Sequence, residues 1–225
     1  MNLNSIIIRT SSSDLNEARP VAIYVHGLAS GAYGTTFKSL SRKFKQYRWI
    51  TTDFGESIED NVGILNSLIV QERPSLIVGT SMGGVTVLYA DAPETVKVVC
   101  NPALSIADCV RYKIGIGMHK YFCERINGEQ WFELTEDMCS GYDNYIASHT
   151  PLLGKENYAI FSARDELLGD DAALIAQQMV SDAGYKVSID LLGVHRINSS
   201  TIRLISELIN NFNKKLFNEH RERRV

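Results

Sequence analysis

Short apolar runs rich in β-branched residues alternate with amphipathic segments along most of the chain. The runs predict buried strands at residues 20–25, 49–53, 75–78, 96–100, 158–162 and 186–192. Between them, apolar residues recur at the spacing of an amphipathic helix. Regular alternation of strands and helices predicts an α/β fold in which a mostly parallel sheet carries helices on both faces.

The alternation breaks down between residues 103 and 154, where the apolar spacing is mixed and aromatic residues are frequent. We therefore divide the chain into an α/β core, residues 1–102 and 155–225, and an inserted, aromatic-rich, cap-like segment, residues 103–154. Two of its aromatic residues, Trp131 and Tyr142, are candidates for lining a substrate pocket. The alternative is that the aromatic residues only pack the segment onto its own domain, because aromatics commonly stabilise small subdomains.

Composition and charge narrow the class of protein. The length of 225 residues suits one domain with a sizeable core, and 44% hydrophobic with 22% charged residues is ordinary for a globular protein. The net charge of −3, with lysine and arginine dispersed over most of the chain, argues against a nucleic-acid partner. No leader-like segment begins the chain and no apolar run is long enough to span a bilayer, so we expect a cytoplasmic protein without a membrane partner.

The four cysteines give no sign of a metal or redox site. They lie at positions 100, 109, 123 and 139, without Cys-x-x-Cys spacing and without paired histidines. We therefore expect reduced thiols, no bound metal and no organic cofactor. The sequence leaves the oligomeric state open.

The strongest chemical signal is the pentapeptide Gly79-Thr80-Ser81-Met82-Gly83, which follows one predicted strand and leads into a predicted helix. Strand, Gly-x-Ser-x-Gly and helix is the arrangement of a nucleophile elbow, a turn too sharp for bulky side chains beside the serine. Ser81 would be lifted clear of the backbone there. The pentapeptide alone is a weak signal, because an ordinary strand-to-helix turn can contain a serine by chance.

An acid and a base follow at positions that strengthen this interpretation. A serine hydroxyl is a poor nucleophile unless a neighbouring base takes its proton, and His195, after the last predicted strand, is the candidate base. Asp165, after the preceding strand, could orient the imidazole by accepting its N–H, and the adjacent Glu166 is the main alternative. Ligands of parallel sheets bind at the carboxyl ends of the strands, so we expect these groups to meet there.

Negative charge on the reacting oxygen would need hydrogen-bond donors fixed in advance. The backbone N–H of Met82, at the start of the elbow helix, is one candidate, and the N–H of Leu28 is the other. Leu28 belongs to the loop that begins with His26 and Gly27 after the predicted strand at residues 20–25. His26 is expected to brace this loop through side-chain hydrogen bonds, and a direct catalytic role is the less favoured alternative.

These motifs together resemble the α/β-hydrolase superfamily. The elbow at residues 79–83 matches its nucleophile turn, and His26-Gly27-Leu28 matches its oxyanion loop. The order Ser81, Asp165, His195 along the chain matches its catalytic triad. The match extends over most of the chain, and it implies a serine hydrolase that acts on a small-molecule acyl substrate through an acyl-enzyme.

A closer resemblance is to small bacterial esterases of the YqiA type. It rests on the compact length, on Tyr24-Val25-His26-Gly27, on Asn101-Pro102-Ala103-Leu104 and on Asp165-Glu166. It implies hydrolysis of short acyl esters, but the longer aromatic-rich segment is a departure, so the substrate is not carried over. Only one candidate strand, residues 3–9, precedes Pro20, whereas the family core usually begins with two, and we expect a trimmed sheet.

Two other functions stay open at this stage. The same triad could cleave a carbon–carbon bond or catalyse an elimination, or the chain could be a non-catalytic binding protein on the same fold. The intact triad pattern counts against the binding protein. A hydrolase of a small carboxylic ester or thioester is the function that we expect.

Overall fold

A seven-stranded sheet runs through the computed structural model, which describes residues 8–9 and 19–222, with side chains for residues 19–212. The strands are β1 (Ile8–Arg9), β2 (Val21–Val25), β3 (Arg48–Thr51), β4 (Leu76–Thr80), β5 (Val96–Cys100), β6 (Gly117–Lys120), β7 (Trp131–Leu134), β8 (Glu156–Arg164) and β9 (Lys186–Val194). The order across the sheet is β1-β3-β2-β4-β5-β8-β9, and its neighbours are parallel except β1 and β3. Strands β6 and β7 form a separate antiparallel pair.

Helices connect most of these strands. They are α1 (Thr35–Lys43), α2 (Ile58–Glu72), α3 (Met82–Tyr89), α4 (Ile106–Cys109), α5 (Glu136–Ser148), α6 (Asp170–Asp182) and α7 (Ser199–Glu222), and a π-helical turn at Val110–Ile114 follows α4. Helix α2 begins at a capping residue, because the Ser57 hydroxyl accepts from the Asp60 N–H at 3.3 Å and so satisfies a backbone donor that has no acceptor within the helix. None of the described helices is both long and apolar enough to cross a membrane.

Both faces of the sheet are covered by helices, which confirms the predicted fold class. Along β2, the side chains of Val21, Ile23 and Val25 belong to one apolar cluster, together with residues of α2, α3 and α6. Ala22 and Tyr24 point to the opposite face and pack with residues of α1 and α7. Parallel strands that are buried on both faces have continuous apolar sequences, which explains why these strands could be predicted.

At one edge of the sheet, β1 pairs antiparallel with β3. Within the described residues one strand, β1, precedes β2, and it coincides with the end of the candidate strand at residues 3–9. Residues 3–7 of that candidate lie outside the described residues.

The inserted segment, residues 103–154, consists of α4 with its π-helical turn, the β6–β7 pair and α5. It contributes buried side chains to the same apolar cluster as α2 and α3, including Tyr121, Phe132, Leu134, Cys139 and Tyr142. The three buried aromatic residues, Tyr121, Phe132 and Tyr142, therefore pack the segment onto the helices that cover the sheet. The division of the chain into a core and a cap-like segment stays a prediction.

Candidate active site

Ser81 occupies a sharp turn between β4 and α3. Its backbone has φ 56° and ψ −124°, and this positive φ is uncommon for a residue other than glycine, so the surroundings must hold it. The Ser81 N–H donates to the carbonyl of Cys100 at 3.0 Å. The Ser81 carbonyl accepts from the N–H groups of Val85 and Ala103, each at 3.2 Å. The turn is therefore fixed by β5, by the loop after β5 and by α3.

Glycines around Ser81 allow the backbone segments to approach closely. A Cβ added to Gly79 would collide with the carbonyl of Gly83, and a Cβ added to Gly83 would collide with the carbonyl of Val25. A Cβ on Gly27 would lie 3.0 Å from the Cβ of Ser81. Only glycine lets β4, α3 and the loop after β2 meet at this distance, which is the steric reason inferred from the sequence.

The structure brings Ser81, His195 and Asp165 together at the carboxyl end of the sheet. His195 Nε2 lies 2.9 Å from Ser81 Oγ, and His195 Nδ1 lies 2.8 Å from Asp165 Oδ2 and 3.0 Å from Oδ1. With its proton on Nδ1, the imidazole donates to Asp165 and accepts from the Ser81 hydroxyl. Ser81 is 7% exposed and His195 is 8% exposed, so water competes little for these hydrogen bonds.

Asp165, rather than its neighbour Glu166, contacts the imidazole. Asp165 Oδ1 also accepts from the backbone N–H groups of Leu167 and Leu168, each at 2.9 Å. Glu166 Oε2 instead accepts from the backbone N–H of His195 at 3.1 Å. The sequence favoured Asp165 as the acid with Glu166 as the alternative, and the structure has the two carboxylates hold different parts of His195: Asp165 contacts the ring and Glu166 the main chain.

The environment of Asp165 favours its charged form. Burial alone raises the pKa of the carboxyl, but the hydrogen bond and charge of His195, together with the two backbone donors, outweigh burial and hold that pKa below its ordinary value. Asp165 is therefore ionised at neutral pH, where it can stabilise a second proton on the imidazole.

The loop after β2 is braced by His26, as predicted. His26 Nδ1 donates to the Gly27 carbonyl at 2.8 Å, and Nε2 accepts from the Phe54 N–H at 2.9 Å. Burial lowers the pKa of His26 to about 4, so the ring stays neutral near pH 7 and keeps both hydrogen bonds. Both ring nitrogens are engaged by backbone groups, which favours a bracing role over proton exchange with a substrate.

The two predicted oxyanion donors, Leu28 and Met82, approach Ser81 from different elements. Met82 is the first residue of α3, where backbone N–H groups have no acceptor within the helix. Leu28 lies in the loop after β2 and lines the same cleft as Ser81. The function of these two N–H groups as oxyanion donors stays a prediction.

A cleft of about 670 Å³ opens at Ser81 and His195. Its apolar lining comes from the core and from the inserted segment, and includes Leu28, Ile106, Ile114, Phe132, Leu167 and Ile197. Lys120, Glu166 and Arg196 add charged groups. A cavity with apolar walls and a few polar groups beside reactive atoms is typical of a small-molecule site. Within the part of the chain that the structure describes, no group of His, Cys, Asp and Glu side chains is arranged to hold a metal ion.

The structure does not bring Trp131 and Tyr142 to this cleft. Exposed and buried residues alternate along β7, so Trp131 is 56% exposed while the next residue, Phe132, is buried and lines the cleft. Tyr142, on α5, is 1% exposed and belongs to the apolar cluster. The period of two in a strand is the sequence signal that would have pointed from Trp131 to Phe132.

Solved structures of other proteins share this architecture. No protein-family model and no curated protein matches the chain. Among solved structures it is similar to alpha/beta hydrolase domain-containing protein 10 from mouse, at 14% sequence identity and a TM-score of 0.65, over 93% of this chain and 94% of that one. This chain has the α/β-hydrolase fold.

Two further structures show the same α/β-hydrolase fold. Est1E from Butyrivibrio proteoclasticus is similar at 13% identity and a TM-score of 0.65, over 93% of each chain. A monoacylglycerol lipase from Paleococcus ferrophilus is similar at 12% identity and a TM-score of 0.60, over 91% of this chain and 96% of that one. Identities this low establish the fold and leave the activity to be argued from the site. The narrower resemblance to YqiA-type esterases stays a prediction.

In this hydrolase fold Asn101 holds the loop that carries His195, a role that sequence reasoning missed. Asn101 follows β5 with φ 46°, and its Nδ2 donates to the carbonyls of Val194 at 3.1 Å and His195 at 2.9 Å. Its Oδ1 accepts from the N–H of Ser162, on β8, at 2.7 Å. One buried side chain therefore joins β5, β8 and the histidine loop. The local signal in the sequence was an asparagine directly after a predicted strand, because asparagine adopts a positive φ more readily than most residues.

Asn101→Ala should lower the free energy of unfolding by at least about 1–3 kcal/mol, the cost of leaving one buried backbone group unsatisfied. Urea denaturation measures the change. Asn144→Ala, an exposed site on α5, is the matched control and should be close to neutral. A loss at Asn101 no larger than that of the control would show that the histidine loop is held by other contacts.

Proposed function

We propose that the protein is a serine hydrolase that cleaves a small carboxylic ester or thioester through an acyl-enzyme. The observation that carries the proposal is the unbroken hydrogen-bond chain from Ser81 Oγ through His195 to Asp165, beside an apolar cleft. One protein of similar fold is named as a monoacylglycerol lipase, which favours the same class of reaction.

In the acylation step, Ser81 Oγ attacks the substrate carbonyl carbon while His195 Nε2 accepts the hydroxyl proton. The N–H groups of Leu28 and Met82 donate to the carbonyl oxygen as it becomes negative. Asp165 stabilises the positive imidazole through its hydrogen bond to Nδ1. His195 then gives the proton to the leaving alcohol oxygen or thiol sulfur, and the acyl group stays on Ser81.

In the deacylation step, a water molecule attacks the acyl carbon while His195 Nε2 accepts one of its protons. The bond between the acyl carbon and Ser81 Oγ then breaks, and the proton returns to that oxygen. The products are a carboxylic acid and an alcohol or thiol, and the enzyme regains its starting state.

The cleft and the cysteines support narrower statements about the substrate and the location. Apolar walls close to Ser81 suit an apolar acyl chain, because such walls remove methylene groups from water. All four cysteines are free, which suits a reducing compartment such as the cytoplasm.

Covalent labelling tests the proposal directly. A fluorophosphonate should modify the protein on Ser81, located by mass spectrometry of peptides, and a panel of p-nitrophenyl esters should show turnover that prefers short acyl chains. Heat-unfolded protein is the control, because labelling should need the assembled site. If the folded protein neither reacts with the fluorophosphonate nor turns over any ester, the site does not act as a serine hydrolase.

Phe132→Leu should shift the preferred acyl chain to a longer one, because it deepens the cleft while keeping an apolar side chain on β7. We expect the ratio of kcat/KM for hexanoyl over butyryl ester to change by about 10-fold or more, in line with about 1–3 kcal/mol per methylene contact. Trp131→Ala is the matched control on the other face of β7 and should keep the wild-type profile. The opposite pattern would mean that Trp131, not Phe132, selects the acyl chain.

A further inference from the structure

We propose that Asp53 and Arg125 form a buried clamp that holds the oxyanion loop in its reactive conformation. The inserted segment would then position the catalytic machinery as well as line the cleft. This inference rests on the proposed serine-hydrolase function. The clamp joins two stretches: the oxyanion loop, residues 26–32, and a stretch of the inserted segment at residues 121–126, which we call the bracing loop.

Ala29, in the oxyanion loop, needs support from outside the loop. Its φ of 59° lies in the left-handed region, which a residue with a Cβ adopts only when neighbouring contacts hold it there. The Ala29 carbonyl accepts from the N–H of Phe122, in the bracing loop, at 2.7 Å. Leu28, the predicted oxyanion donor, directly precedes Ala29, so the contacts that hold Ala29 also hold the path of the chain through Leu28.

Asp53 follows β3 and accepts hydrogen bonds from both loops. Its Oδ1 accepts from the N–H of Ala32 at 2.8 Å, and its Oδ2 accepts from the N–H of Ile126 at 2.5 Å. Arg125 Nε lies 3.7 Å from Asp53 Oδ2, and the two side chains are only 5% and 6% exposed. A buried carboxylate with two backbone donors and a facing guanidinium fixes the two loops relative to each other.

Arg125 extends the clamp to two backbone segments, the oxyanion loop and the stretch after β3. Its Nη1 donates to the carbonyls of Ser30 at 3.1 Å and Phe54 at 2.9 Å. The guanidinium carbon lies 4.2 Å from the centre of the Tyr121 ring, a cation–π contact that holds the side chain in place. The carbonyl of Phe54 accepts from Arg125, and the N–H of Phe54 donates to His26. Phe54 therefore connects Arg125 to the start of the oxyanion loop.

Stability alone does not explain a buried ion pair at this place. Apolar residues of the same volume usually stabilise a fold as well as a buried pair does. Oxyanion donors, in contrast, act only when they are fixed before the charge develops, and a displacement of about 1 Å can cost about 100-fold in rate. Without the bracing loop, Ala29 would relax towards a negative φ and rotate the two peptide units that flank it, which would shift the chain that carries the Leu28 N–H in the next unit.

The test compares Arg125→Met and the double variant Asp53→Asn/Arg125→Met with a matched control, Arg111→Met. Arg111 belongs to the same inserted segment and pairs with Glu136 and Asp143, but it does not line the cleft. The measurements are kcat and KM for p-nitrophenyl butyrate per active site, with sites counted by fluorophosphonate titration, and the thermal midpoint. A trifluoromethyl ketone inhibitor, which forms an oxyanion on the nucleophile, adds a direct probe of the oxyanion donors.

Arg125→Met should lower kcat by about 10- to 100-fold while KM changes by less than about threefold. The inhibition constant of the trifluoromethyl ketone should rise by the factor by which kcat/KM falls, because both depend on the oxyanion donors. The double variant, which removes both charges, should recover thermal stability relative to Arg125→Met but not kcat. Arg111→Met should keep the wild-type kcat and inhibition constant.

A folded Arg125→Met protein with wild-type kcat would overturn the clamp. A double variant that recovers kcat along with stability would also overturn it, because the pair would then act through stability only. Should Arg125→Met fail to fold, Asp53→Asn is measured in its place with the same expected kcat and inhibitor changes. Wild-type protein that does not react with the fluorophosphonate at Ser81 would instead contradict the proposed function, so the two failures are distinguishable.

Discussion

Ser81→Ala should fold like the wild type and lose ester hydrolysis by several orders of magnitude. The change removes one oxygen atom, and the turn around residue 81 is held by backbone hydrogen bonds that an alanine keeps. Loss of the nucleophile of a serine triad costs on the order of 10⁶-fold in kcat in a well-studied protease, and we expect a loss approaching that size. Steady-state turnover of p-nitrophenyl butyrate measures it, with the thermal midpoint as a check on folding.

The matched control for this variant is Ser67→Ala, which removes an exposed serine hydroxyl on α2. It should keep both turnover and fluorophosphonate labelling. A Ser81→Ala protein with substantial turnover, or a fluorophosphonate found on another serine, would remove Ser81 from the mechanism.

Variants of the base and the acid should show the second-largest losses. His195→Ala should be nearly as damaging as Ser81→Ala, because among the described residues His195 is the side chain that hydrogen-bonds to Ser81 Oγ and can take its proton. Asp165→Asn should lower kcat by about 10⁴-fold. The double variant Ser81→Ala/His195→Ala should be little worse than either single change, because the two residues act as one unit.

The structure gives a specific reason for the loss in Asp165→Asn. Both backbone donors, from Leu167 and Leu168, converge on Oδ1, so the carbonyl oxygen of an asparagine would occupy that position. Its amide would then face His195 Nδ1 as a donor. The imidazole would have to carry its proton on Nε2, where it could no longer accept the Ser81 proton.

Glu166→Gln is the matched control, because the hydrogen bond of Glu166 in the described part of the chain is to the backbone N–H of His195 and not to its ring. It should lower kcat far less than Asp165→Asn. Measuring kcat for both variants at neutral pH separates the two carboxylates. A crippled Glu166→Gln enzyme beside a healthy Asp165→Asn enzyme would assign the acid to Glu166.

The central sheet could be predicted because its strands are buried on both faces. Every residue of β2, β4 and β5 is buried, as are residues 157–162 of β8, and most of these residues are apolar. The sequence predicted a strand at residues 3–9, of which β1 is the described end, but it did not predict the antiparallel pairing of β1 with β3, because pairing depends on which distant strand lies alongside.

The candidate site was predictable only in part. Gly79 and Gly83 mark the turn at Ser81, because the steric demand of a close backbone approach is local in sequence. The choice between Asp165 and Glu166 depends on which way two neighbouring side chains point after β8. That direction follows from the backbone donors of Leu167 and Leu168, and the sequence does not specify them.

The roles of other residues could be recognised only from the tertiary structure. Asn101 bonds to the carbonyl of His195, 94 residues further along the chain, and Arg125 bonds to the carbonyl of Ser30, 95 residues earlier. Phe132 lines the cleft while its neighbour Trp131 is exposed, because β7 presents alternate residues to its two sides.

The sequence by itself determined the α/β alternation, the turn at Ser81 and the chain order of Ser81, Asp165 and His195. Each depends on periodicity or steric fit over a few residues, which sequence patterns record directly. Only the tertiary structure decided which carboxylate meets the imidazole, which aromatic residue enters the cleft and which residues brace the oxyanion loop. Those outcomes depend on which distant surfaces pack together, and the packing of one side chain fixes the direction of the next.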